Sequence, residues 1–165
     1  MKKIFAVLLL VGVVLCGSAM ATPIEVGSGV NSANVTINWK DGYVAEFLVK
    51  FGASSVTGME LFDIIESGST LETVRSDYGW AILIEGISFN DHSDPGYVDG
   101  EDWWHYWNKN SEGTTWDPSW VGASDRVVTN GDSDGWVYGN AGAPVPEPVT
   151  FALLGLGGLL LRRKK

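Results

Sequence analysis

Cysteine, histidine and basic residues are scarce in this chain, and each shortage removes a class of function. The 165 residues hold one cysteine, Cys16, two histidines, His92 and His105, and 11 lysines and arginines against 20 acids. Cys16 lies in an apolar run that reads as part of an export signal, so the mature chain has no thiol nucleophile, disulfide framework or cysteine zinc site. A lipobox needs a small residue just before its cysteine, and Leu15 stands there. Lys2 and Lys3 open the chain, and Arg162, Arg163, Lys164 and Lys165 close it. Between Thr22 and Thr150 only Lys40, Lys50, Arg75, Lys109 and Arg126 face all 20 acids, five against twenty, a formal −15. A surface of that sign repels nucleic acid and anionic membrane faces and suits neutral or cationic partners. No glycine-rich loop leads from a strand into a helix as phosphate binding requires.

What the chain does carry at its ends is addressing. Lys2-Lys3 is a positive n-region, Ile4 to Leu15 an apolar h-region, and Ala19 and Ala21 are the small residues that signal peptidase accepts, so residues 1–21 are read as a signal peptide. At the other end, Pro146-Glu147-Pro148 interrupts helix, Val149 to Leu161 is an apolar run, and residues 162–165 are a basic cluster. As a helix that run reaches about 20 Å, short of the roughly 30 Å hydrocarbon core of a bilayer. Basic side chains can hold such a marginal anchor on the cytoplasmic side.

The three parts of residues 146–165, in that order and opposite a signal peptide, resemble the PEP-CTERM sorting signal of Gram-negative bacteria. The resemblance implies an exosortase, a membrane transpeptidase, as processing partner. It also implies transient residence in the inner membrane and a destination at the cell surface or in the extracellular matrix. The catalytic groups of that processing belong to the exosortase.

Between the signals, residues 22–32 read as a polar leader, 33–139 as the folded domain and 140–145 as a linker. Val35, Ile37 and Trp39 alternate, Asp41-Gly42 is a turn, and Ala45, Phe47, Val49 and Phe51 alternate again, predicting a β-hairpin. In VTGMELFDIIESG, Thr57 and Glu60 form a capping box, Val56 can staple to Leu61, and Gly68 reads as the helix stop. The run WAILIEGISF is apolar on both faces, as a central strand is, and DWWHYWN follows as a strand. VGASDRVVTNGDSDGWVYG reads as two short strands around an Asp/Gly turn. The predicted order is β-β-α-β-β-β, an α+β domain with one helix crossing a small mixed sheet.

That order, with Thr57 to Ile65, Ala81 to Ile87, Trp103 to Asn108 and Gly131 to Tyr138 as matching positions, resembles the transcobalamin-like C-terminal domain, a β-grasp-like module. The resemblance implies a small-ligand or partner-binding surface. Members that grip cobalamin do so with a second, helical domain, so cobalamin affinity is not inherited here. The chain also departs from the family in having Asn108-Lys109-Asn110 where Asn-Gly is common.

Two stretches carry the candidate sites. In EDWWHYWNKN, strand alternation puts Trp103, His105 and Trp107 on one side and Trp104, Tyr106 and Asn108 on the other. If one of these sides stays open, Trp103, Trp104, Tyr106 and Trp107 include a stacking surface for a polysaccharide or another small ligand. If both are covered, one by the helix and one by the loops bearing Trp116 and Trp120, they are core. In NGDSDG, Asn130, Asp132 and Asp134 offer oxygens at alternate positions, the opening of a calcium loop. Its twelfth position is Ala141 where a bidentate glutamate belongs, and a hairpin turn explains the same residues. The acidic run Asn90 to Asp102 reads as a solvated loop.

The expectation is a non-enzymatic exported surface or matrix protein with a small binding domain and no required cofactor. Its alternatives are a structural or adhesive matrix component without a ligand, and a small glycosidase using paired carboxylates.

Overall fold

The computed structural model describes residues 22–96, 102–139 and 142–144. The expected signal peptide with Ala19 and Ala21, and the expected sorting tail with Pro146, Glu147, Pro148, the apolar run 149–161 and the basic cluster 162–165, lie outside the described residues. Among the described residues no helix is long and apolar enough to cross a membrane.

The alternating segments pair as their periodicity predicts. Strands β2 (Asn31–Asn38) and β3 (Val44–Phe51) form an antiparallel hairpin with Asn38 opposite Val44. Gly42, at φ 88°, makes the reversal, and its N–H donates to the Trp39 carbonyl. Ala33, Val35, Ile37, Ala45, Phe47, Val49 and Phe51 all point to one buried face, because side chains two apart in a strand share a side.

The one helix among the described residues, α1 (Gly58–Gly68), has the expected capping box. The Thr57 hydroxyl accepts from the Glu60 N–H at 3.1 Å, and the Glu60 carboxylate accepts from the Thr57 N–H at 2.7 Å. Met59, Leu61, Phe62 and Ile65 share its buried face. Thr57→Ala is expected to cost about 1 kcal/mol in chemical denaturation, the usual worth of an N-cap hydroxyl. Gly68 does not stop the helix by a left-handed turn. It is the last helical residue, and it packs closely against a strand: a Cβ there would lie 3.1 Å from Val26, which would have to give by a few tenths of an ångström.

That strand corrects the reading of residues 22–32 as a leader. Ile24–Gly27 is strand β1, parallel to β3 at one edge of the sheet, with Val26 buried under the helix. Gly27 at φ 74° and Gly29 at φ 145° let the chain turn back into β2. Sequence reading weighed polarity here, whereas one buried valine and a row of backbone hydrogen bonds are enough for an edge strand.

The remaining elements are β4 (Ser55–Thr57), β5 (Glu72–Asp77), β6 (Ile82–Phe89), β7 (His92–Pro95), β8 (Trp104–Lys109), β9 (Asp117–Pro118), β10 (Val127–Thr129) and β11 (Ser133–Tyr138). They make three sheets: a mixed one in the order β1-β3-β2-β11-β8-β9, a ribbon β10-β4, and an antiparallel sheet β5-β6-β7. The α+β class holds, with one helix among the described residues, but the predicted single small sheet is divided. β6 is central, though in the smaller sheet, and its second face is only partly covered. β10 and β11 are not a hairpin: β10 pairs with β4, while β11 lies between β2, parallel, and β8, antiparallel. The acidic run Asn90 to Asp102 is not simply a solvated loop either. Its start is strand β7, where Asp94 accepts from the Lys40 N–H at 2.7 Å. His92 stacks on Tyr43 at 3.7 Å and meets Asp41 at 2.6 Å.

Candidate ligand-binding surface

Strand β8 is largely a wall of the core. Trp104 is 7 % exposed and packs edge-on against Trp39, with ring centroids 6.0 Å apart, and against Tyr138 at 5.2 Å. Tyr106 stacks on Trp136 at 4.4 Å, directly across the strand pair. On the opposite side Trp107 lies across from Gly135, over which Trp116 and Pro144 pack so closely that a Cβ would meet the Pro144 ring at 2.2 Å. Trp107 and His105 are therefore half-buried. The Trp107 Nε1 and His105 Nε2 are buried with no hydrogen-bond partner among the described residues, and burial holds the His105 pKa below its usual value. Of the four candidate residues only Trp103, 40 % exposed beside the His105 ring, faces solvent. Trp116 is a cover, under the Lys109 ammonium at 5.0 Å, whereas Trp120 is 93 % exposed and covers nothing.

The NGDSDG stretch holds its carboxylates inward. Asn130 accepts from the Ser32 N–H at 2.9 Å. Asp132 accepts from the N–H groups of Ser111 at 2.8 Å and Thr129 at 2.9 Å, and from the Thr129 hydroxyl. Asp134, almost wholly buried, accepts from the Tyr106 hydroxyl at 2.5 Å, and its other oxygen lies 3.7 Å from the Arg126 Nε. Burial pushes the Asp134 carboxyl up to about 6, against the pull of Tyr106 and Arg126, and burial with the adjacent Asp134 raises the Tyr106 hydroxyl. Gly58 opens α1 directly over this pair, where a Cβ would meet the Tyr106 hydroxyl at 2.4 Å. The oxygens proposed for calcium are thus turned toward separate protein donors. Among the described residues no group of three or more His, Cys, Asp or Glu is placed to hold a metal ion.

Two neighbouring aromatic side chains open to solvent lie elsewhere. Trp80 is 79 % exposed and Tyr78 54 % exposed, both in the loop between β5 and β6. Their ring centroids are 6.4 Å apart and their planes 40° apart. The base of this hairpin is fastened to the core: the Trp39 indole donates to the Ile87 carbonyl at 3.0 Å. Arg75 pairs with Asp63 at 2.6 Å and Glu66 at 2.9 Å on α1. Beyond that base, past a bulge at Val74/Arg75, the hairpin projects with Leu83 also exposed. Sequence reading missed this site because Trp80 opens the run WAILIEGISF and was counted with its apolar strand. The signal was there in Asp77-Tyr78-Gly79-Trp80, a turn between two β-type runs, which puts its aromatics past the last paired residues.

Compared with known protein families, with characterised proteins and with solved structures, the chain matches none.

Proposed function

We propose that this chain is an exported surface or matrix protein whose domain holds a partner on solvent-facing aromatic side chains and catalyses no reaction. The exposure of Trp80 beside Tyr78 on a hairpin anchored to the core carries the reading. Two neighbouring exposed rings offer a flat apolar surface for stacking, and a rigid base lets them bind at low entropic cost.

The addressing half rests on the sequence at both ends: signal peptidase at Ala19 and Ala21, then exosortase recognition of Pro146-Glu147-Pro148 with passage through the inner membrane to the surface of a Gram-negative cell. The β-grasp-like, transcobalamin-like assignment is part of the same proposal. It is supported by the helix over residues 58–68 and the strands over 82–89, 104–109 and 133–138, which fall on the positions that carry the resemblance. A structural matrix component without a ligand is the second reading, favoured by the burial of Trp39, Trp104 and Trp136.

Both halves are open to one set of variants. Replacing Pro146, Glu147 and Pro148 with alanine is expected to trap the protein in the inner membrane, seen by fractionation and surface labelling, and normal display of the triple variant would sink the sorting proposal. Trp80→Ala with Trp120→Ala is expected to lower retention of the full chain on matrix from producing cells several-fold. Unchanged retention would favour the purely structural reading.

A further inference from the structure

We propose that the tip of the β5–β6 hairpin is a stacking site for a neutral polysaccharide, an inference that rests on the binding reading above and names its ligand class. The loop that presents the rings is held in one shape. Asp77 accepts from the Gly79 N–H at 2.7 Å, the Tyr78 N–H donates to the Ala81 carbonyl at 3.0 Å, and Gly79 takes φ 79°. The Tyr78 ring is fixed at its far end as well, since its hydroxyl donates to Glu85 at 3.0 Å. Two aromatic faces and a carboxylate therefore stand side by side on a backbone that does not need to be ordered by the ligand.

Sugar rings offer what this surface accepts. Their C–H faces are apolar and stack on flat aromatic rings, while hydroxyls at the rim donate to carboxylates such as Glu85. The planes of Tyr78 and Trp80 are splayed by 40°, a shallow saddle for an extended chain. A cage around a cationic headgroup needs rings that close on it from several sides.

Charge selects against polyanions. Every basic side chain of the described residues is engaged away from the tip. Lys40 pairs with Asp102, Lys50 with Glu25, and Arg75 with Asp63 and Glu66; Arg126 lies against Asp132 and Asp134, and Lys109 sits over Trp116. An acidic polymer approaching the tip meets Asp77 and Glu85 with no cation to offset them. A neutral polymer meets no such repulsion.

Native-gel affinity electrophoresis of the full chain tests this, with hydroxyethylcellulose, dextran or galactomannan in the gel and alginate as the acidic comparison. Retardation by at least one neutral polymer is expected, weakened about tenfold in Trp80→Ala, the scale of losing one stacked ring. A smaller loss is expected in Glu85→Gln, partial rescue in Trp80→Phe, and no change in Val30→Ala, an exposed site with no part in binding. The inference is overturned if no neutral polymer retards the protein, if Trp80→Ala binds like the original chain, or if alginate is the polymer bound. Displacement of a bound neutral polymer by millimolar choline would equally count against it, because it would show a cation site. If Trp80→Ala abolishes matrix retention while all three neutral polymers fail, the ligand class is wrong and the binding reading stands. If matrix retention is also indifferent to Trp80 and Trp120, both fall.

Discussion

Asp134→Asn is expected to gain stability relative to the original chain as pH rises from 4 to 7, by about 2 kcal/mol. The carboxyl is buried under Gly58 between the Tyr106 hydroxyl and Arg126, with Asp132 nearby, and burial raises its pKa from 3.8 to about 6. The folded protein therefore keeps a proton that the unfolded chain releases. That contribution to stability is complete below about pH 4 and disappears as pH rises through 6. Asparagine has no charge to desolvate and keeps an oxygen for Tyr106. Urea denaturation of both proteins at pH 4 and pH 7 isolates the effect, because other titrating groups, such as Asp41 with its pKa lowered by His92, are common to the two. The same difference in unfolding free energy at both pH values would show that Asp134 is ionised at no cost.

Phe62→Ala should cost about 3–5 kcal/mol, the range for removing a large aromatic side chain from a core that cannot collapse around the gap. Phe62 is 1 % exposed and reaches from the helix to the Trp136 ring, with centroids 5.2 Å apart. Trp136 in turn stacks on Tyr106, so the cavity would open where the helix, β11 and β8 meet. Denaturant unfolding followed by tryptophan fluorescence measures the loss. A cost below about 1 kcal/mol would mean that the helix is not seated on the sheet as described.

Whatever depends on neighbours along the chain was readable before any coordinates. The β2–β3 hairpin follows from alternation on either side of Asp41-Gly42, the helix from the Thr57–Glu60 capping box and the Val56–Leu61 staple, and β8 from its aromatic run. Strand β1 was not readable, because its support comes from β3 and the helix, and only Val26 among its residues is buried. The division into three sheets was equally hidden. The parallel pairing of β11 with β2 joins the two ends of the domain, and no local pattern records which distant strand will supply hydrogen bonds.

The candidate sites divide along the same line. Sequence alone determined that the chain has a single cysteine, Cys16, that the span from Thr22 to Thr150 is strongly acidic, and that it is rich in tryptophan. These are properties of composition and short segments, and folding cannot change them. Which tryptophans meet water was decided only by tertiary structure. Trp104 pairs across to Tyr138 inside the core, while Trp80 lies past the last paired residues of a hairpin that nothing covers. Likewise Asp134, in a stretch that reads as an exposed turn, is buried because β2 and β8 flank β11 and the helix closes over it. Exposure is set by contacts between distant segments, and a residue's own neighbours in sequence do not specify them.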